Sequence, residues 1–303
     1  MNGADETVSG KPRIDKVALA YLVATGALLA VATNMAKLAS DAGLPALPFL
    51  IWSVGGAALL LCLVVAFGSG LPRLDARKAE YFVLAGLVSV AAPNLLLFAA
   101  VPHVGAGFAA LAIAFPPLFT YAMALALGME RFSALRAAGV AVALGGAVLL
   151  AVYKFATPDA SMVWIIATLT APVILAIGNI YRTLRWPDDT QPEQLAPGML
   201  IASVLLLLIF AGLSGTGGPL PWQVPASLPI VGAQILVFAL QYHLFFVLQK
   251  LGGPVYLSLL GSVAAIIGVP IAVLLLGEEW PQGIVIATVL IATGIALVSR
   301  RPT

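Results

Sequence analysis

Charge is what this sequence has least of. Only 9% of its 303 residues are Asp, Glu, Lys or Arg, while 61% are hydrophobic and the mean hydropathy is +1.06. A soluble domain carries roughly 25% charged residues, so a water-soluble fold of this length could not cover its surface. The chain therefore reads as an integral membrane protein. Cysteine is nearly absent as well. Cys62 stands alone in an apolar run, which excludes a disulfide within the chain and leaves no sign of an oxidising compartment. The sequence holds no HExxH, no paired cysteines, no GxSxG and no P-loop. Membrane-enzyme chemistry has no nucleophile–base pair to start from, and ATP-driven transport has no motor domain. No metal, cofactor or nucleic acid is expected. Gly105-x-Gly107-x-x-Ala110 has the spacing of a dinucleotide-binding loop. It opens a long apolar run rather than a strand–turn–helix unit, so that reading fails.

What is there is a series of apolar runs, each long enough for the roughly 20 residues that a helix needs to cross the hydrocarbon core. Ten candidate spans lie near 15–37, 45–68, 78–101, 105–128, 132–154, 160–183, 194–213, 225–249, 254–277 and 281–300. Short separators rich in Pro, Gly or Asp divide them, such as Leu44-Pro45, Pro187-Asp188-Asp189 and Gly252-Gly253. With the N-terminus in the cytoplasm, thirteen of the 15 Lys and Arg fall on the cytoplasmic side. Only Lys37 and Lys154 fall opposite, as the positive-inside rule requires.

The chain also repeats itself. Residues 128–151 align without a gap on 277–300 at a shift of 149, with seven of 24 pairs identical, including Gly128/Gly277 and Glu130/Glu279. Asn34-x-x-Lys37 matches Asn179-x-x-Arg182 near the end of the first span of each half. Five spans per copy is an odd number, so the second copy must enter the membrane from the opposite side. The expected fold is thus an all-α membrane protein of ten transmembrane helices in two inverted five-helix repeats. Residues 1–14 would be a cytoplasmic tail, 15–154 the first repeat and 160–301 the second. Both termini would be cytoplasmic.

No Asp, Glu, Lys or Arg falls near the centre of a span; all are assigned to span ends, loops or tails. The polar groups at depth are Asn34, Asn94, Gln234, Gln241, Tyr242 and His243, with Trp52, Phe98, Phe115, Tyr121, Trp164 and Tyr256 as aromatic neighbours. Neutral donors and acceptors between aromatic walls suit a small amphipathic solute such as an amino acid, whose ammonium can lie over a ring. The candidate cavity is Asn34, Trp52, Asn94, Phe98, Phe115, Trp164, Gln241, Tyr242, His243 and Tyr256, with Gln241-Tyr242-His243 its densest polar run. Pro93, Pro116, Pro117, Pro172 and Pro270 fall at membrane depth and are expected to break or loosen their helices there. A lone histidine is more often a packing group than a proton carrier, so uncoupled transport is the simpler expectation. Gly139, Ala143 and Ala147, with Thr288, Ala292 and Ala296, put small residues four apart on spans five and ten. They suit close packing of those helices or of two copies of the chain in a homodimer.

The Asn-x-x-Lys/Arg steps, together with Gly128-Met129-Glu130 and Gly277-Glu278-Glu279, resemble the ten-helix EamA-like branch of the drug/metabolite transporter superfamily. The chain departs from it at Ala32-Thr33, where many members carry a tryptophan–glycine pair. The resemblance implies export of metabolites, often amino acids, across the bacterial inner membrane. It implies a central cavity lined by helices one to four and six to nine, braced from outside by five and ten. The aromatic and broad-range amino-acid exporters are the most similar members. Efflux of nucleosides or drugs, or a non-transporting membrane subunit, are the alternatives. Glu130 and Glu279 are expected to hold loop geometry or a gate, away from substrate.

Overall fold

The first helix, α1 (Lys16–Asp41), stops where the chain must turn: Gly43 takes a φ of 89° and Pro45 caps the next helix. The computed structural model describes residues 16–299 apart from 69, 71, 130, 156–161, 189 and 280–283. The expected tail 1–14, Glu130 and the C-terminal residues lie outside the described ones. After α1 come α2 (Ala46–Phe67), α3 (Ala76–Gly86), α4 (Ala92–Val104), α5 (Ala106–Ala112) and α6 (Pro116–Ala126). The later helices are α7 (Ala134–Phe155), α8 (Met162–Leu184), α9 (Pro192–Ser214), α10 (Leu228–Ser258), α11 (Leu260–Leu274) and α12 (Ile284–Ser299). No strand occurs among the described residues.

Local sequence explains the breaks. A π-helical turn, Leu87–Ala91, joins α3 to α4, with the Ala92 N–H donating five residues back to the Leu87 carbonyl. Pro93 follows directly; it has no N–H to offer the Ser89 carbonyl, and its ring crowds that turn, so the helix widens. Gly105, at φ 86°, divides α4 from α5. Pro116 and Pro117 open α6, where a missing N–H costs nothing. They do not kink one helix at its middle; they follow a full interruption at 113–115. Pro172 and Pro270 are carried inside α8 and α11 without ending either.

The second half breaks elsewhere. α10 runs for 31 residues straight through the expected Gly252-Gly253 separator and ends only at Leu259. Two helical glycines cost about 1 kcal/mol each, less than exposing unpaired backbone to lipid. Ahead of α10 the proline-rich stretch forms two 3₁₀ turns, Pro221–Gln223 and Pro225–Ser227.

Seven helices are long and apolar enough to cross a membrane, among the described residues. Three shorter apolar helices, Ala134–Gly146, Leu260–Leu274 and Val285–Gly294, fall on the fifth, ninth and tenth expected spans. The packing joins the two halves rather than keeping them apart. α1 lies against α10 and α11, while α8 lies against α4 and α6. α2 packs on α9 and α10, α9 also on α3, α5 on α11, and α7 on α12. One apolar core gathers Phe49, Leu50, Phe98, Met199 and Phe238; a second gathers Phe108, Leu111, Phe115, Leu118 and Ile165.

The α7–α12 contact uses small residues in a different register from the expected one. On α7, Gly139 and Ala143 are buried. Their counterparts on α12 are Ala287, Ile291 and Gly294; Ala292 and Ala296 are exposed. A Cβ on Gly294 would lie 2.5 Å from the Ala143 Cβ, so the helices touch nearly backbone to backbone. The side chain of Ala147 lies outside the described ones.

Candidate functional site

A central cavity of about 60 Å³ lies between α1, the π turn, α4, the α5–α6 break, α8, α10 and the start of α11. That volume holds a few water molecules. The wall is apolar with an interrupted polar seam: Ser89 on the π turn, Asn94 on α4, Asn179 on α8, and Gln241, Tyr242 and Ser258 on α10. Pro93 and Pro116 line it as well, which puts two of the helix breaks at the cavity.

The seam is hydrogen-bonded in part. The Asn94 amide donates to the Val90 carbonyl at 2.8 Å and to the Tyr242 hydroxyl at 3.2 Å. Gln241 is buried at the cavity, and its Oε1 has no hydrogen-bond partner. A buried acceptor left unpaired is costly, so this oxygen is the open valence of the site.

One cation stands directly behind the seam, and the sequence did not reveal it as a site residue. The sequence expectation counts Arg182 among the span-end charges; it does lie in the last turn of α8, but packed inward. Arg182 is only 1% exposed, near the end of α8 but inside the bundle. Its Nε donates to Gln249 Oε1 at 3.2 Å, Nη2 to Asn179 Oδ1 at 2.8 Å, and Nη1 to Ser89 Oγ. The guanidinium carbon sits 4.7 Å from the centre of the Phe245 ring, another cavity wall. The Asn179-x-x-Arg182 motif was the available signal: its two ends bond each other across one turn. Arg136 is likewise buried, 5.3 Å over the Tyr121 ring, so a second basic residue expected at the cytoplasmic side is also a packed side chain.

The other expected residues scatter. Asn34 is buried and donates to the Ala30 and Gly268 carbonyls, at 2.9 and 3.2 Å, tying α1 to α11. Phe98 stacks on Phe238 at 6.3 Å in the main core. Phe115 is buried in the second core. Trp52 is 40% exposed and meets Trp222 edge-on at 5.1 Å, away from the cavity. Trp164 stacks on His103 at 4.4 Å and lines a separate, apolar cavity of about 670 Å³ beside the α1–α2 turn. His243 is partly buried and lines neither cavity. Pro117 and Pro172 are buried and Pro270 is half-buried, all outside the cavity wall. The side chain of Tyr256 lies outside the described ones.

A glutamate between α11 and α12 does hold loop geometry, but it is Glu278. Its carboxylate accepts from the backbone N–H groups of Ala106 at 2.5 Å and Gly107 at 2.9 Å, capping α5 from the other half of the chain. Glu279 is exposed. A Cβ on Gly105 or Gly107 would lie 3.0 or 3.2 Å from Glu278 Oε2. The Gly-x-Gly spacing that mimicked a nucleotide loop therefore clears room for a carboxylate.

The sequence profile of the EamA-like transporter family matches residues 16–152. Over those residues the chain is similar to the EamA-like transporter family. The probable terminal-alkyne amino-acid exporter of Streptantibioticus cattleyicolor is 27% identical over 248 residues, 80% of each chain. A protein of known crystal structure superposes with a TM-score of 0.62 at 20% identity, covering 92% of this chain and 95% of that one. That second likeness concerns the fold alone. Both sequence likenesses point to a transporter rather than an enzyme.

Proposed function

We propose that the chain is an EamA-type transporter that exports small amphipathic metabolites, amino acids first, across the bacterial inner membrane by alternating access. The observation that carries the reading is the central cavity, whose wall combines the unpaired Gln241 Oε1, the Asn94–Tyr242 pair and the Phe245 ring. An unpaired acceptor suits an ammonium, and the apolar remainder suits a side chain. The amino-acid exporter among its relatives agrees.

Ten spans in two inverted halves are part of the same reading. Exchanging the halves turns α1 on α10 and α11 into α8 on α4 and α6, and turns α2 on α10 into α9 on α3. The pairs α2–α9, α5–α11 and α7–α12 map onto themselves. Such pairing supports a pseudo-two-fold axis through the cavity, about which spans three–four and eight–nine would rock, with both termini cytoplasmic. No Asp or Glu lines the cavity among the described residues, which favours gradient-driven, uncoupled movement.

Purified protein in liposomes tests this. Counterflow of labelled amino acids, unchanged by an imposed pH gradient, is the expected result. Flux that scales with the pH gradient would overturn the uncoupled part. Silence across a broad solute panel would overturn transport of this class.

A further inference from the structure

Arg182 is a buried cation without a buried anion among the described residues. None of the ion pairs among the described residues involves it. Its donors go instead to three neutral acceptors, on Ser89, Asn179 and Gln249, and its flat face lies over Phe245. Burying a charge with neutral partners alone is expensive, and in membrane proteins such residues mark substrate pathways. Three of those four neighbours, Ser89, Asn179 and Phe245, are themselves cavity wall. Only one layer of side chains separates the guanidinium from the chamber. Its fork can exchange two neutral acceptors for the two oxygens of a carboxylate without moving the backbone.

We propose that Arg182 is the carboxylate-recognition group of the transport site. Opening of the cavity turns the Ser89 and Asn179 side chains aside, and the substrate carboxylate takes their place on Nη1 and Nη2. Gln241 Oε1, on the same cavity wall, receives the ammonium. The inference deepens the amino-acid reading and rests on the same cavity. It assigns the solute a free carboxylate, so amides and amines of the same side chain are poor substrates.

The test uses the full chain, purified, with phenylalanine, phenylalaninamide and 3-phenylpropionate as probes. In wild-type protein, phenylalanine and 3-phenylpropionate should raise the melting temperature at concentrations about tenfold or more below those needed for the amide. Equal stabilisation by acid and amide overturns the proposal without any variant having to fold. In liposomes, Arg182→Gln should cut phenylalanine counterflow about tenfold or more while leaving the slower amide counterflow within about twofold. Arg182→Lys should recover part of the loss, since it restores the charge without the fork. An equal fall for acid and amide would make Arg182 a structural tie only and sink the idea. If wild-type protein moves no amino acid, yet 3-phenylpropionate still stabilises it and not Arg182→Gln, the amino-acid reading fails while carboxylate recognition stands.

Discussion

The Asn94 amide reaches the Tyr242 hydroxyl at 3.2 Å, a bond between α4 of the first half and α10 of the second across the central cavity. Asn94 keeps a second acceptor, the Val90 carbonyl, at 2.8 Å. Tyr242→Phe therefore removes a cross-half contact without leaving the amide wholly unpaired. We expect about 1 kcal/mol of lost stability and a several-fold fall in counterflow, read against expression level. His243→Ala, next in sequence but off the cavity wall, should transport within about twofold of wild type. Normal transport by Tyr242→Phe with loss in His243→Ala would move the site.

Gly261 has the least room for a side chain of the described glycines. A Cβ there would lie 1.7 Å from the Ile113 carbonyl oxygen in the α5–α6 break. The obstacle is backbone and cannot rotate away. Gly261→Ala should cost about 1–3 kcal/mol or more, seen as lost monodispersity in detergent. Gly232→Ala, with nothing within 4 Å of the new methyl, should be neutral. Tolerance of Gly261→Ala would mean that α11 and the break are not in contact.

Glu278 supplies the only side-chain cap described for α5, and it does so from the opposite half. Glu278→Ala should lower thermal stability by about 1 kcal/mol. Glu279→Ala, at an exposed neighbour, should leave it unchanged. The reverse ranking in a melting experiment would refute the assignment.

Asp75 caps α3 by accepting from the Lys78 backbone N–H at 2.8 Å, and that bond, aided by the Lys78 ammonium, holds its carboxyl below the usual carboxylate range. A depressed folded-state pKa contributes stability above the unfolded value, about 3.9, and loses it as pH falls through the folded value. Asp75→Ala should melt below wild type at pH 7, and the two should converge below about pH 4. A gap that persists in acid would exclude the charge as its source.

That the chain folds into apolar helices, several of them long enough to cross a bilayer, was legible because length and apolarity alone set that property. The inward faces were less so. α2 is apolar nearly all round, because lipid and protein interior make the same demand, so periodicity could not tell that Trp52 points outward. Asn94, Gln241 and Tyr242, which line the cavity, stood out because a polar group at depth is costly wherever it points. Arg182 was missed for the opposite reason. A basic residue near a span end ordinarily snorkels to the interface, and only the packing of α4, α8 and α10 around it closes that route. The choice between Glu278 and Glu279 was equally out of reach. The internal alignment pairs Glu279 with Glu130, but reach to the α5 backbone depends on how the turn after α11 is rotated.

At Gly261 and Ile113 the two halves press main chain on main chain, with no side chain between them to yield. A joint without padding resists sliding and permits tilting, as a beam does on a knife edge. Distances measured between labels beside residues 113 and 261 should then stay constant through a transport cycle. Those between labels at the two rims of the bundle should lengthen and shorten in antiphase.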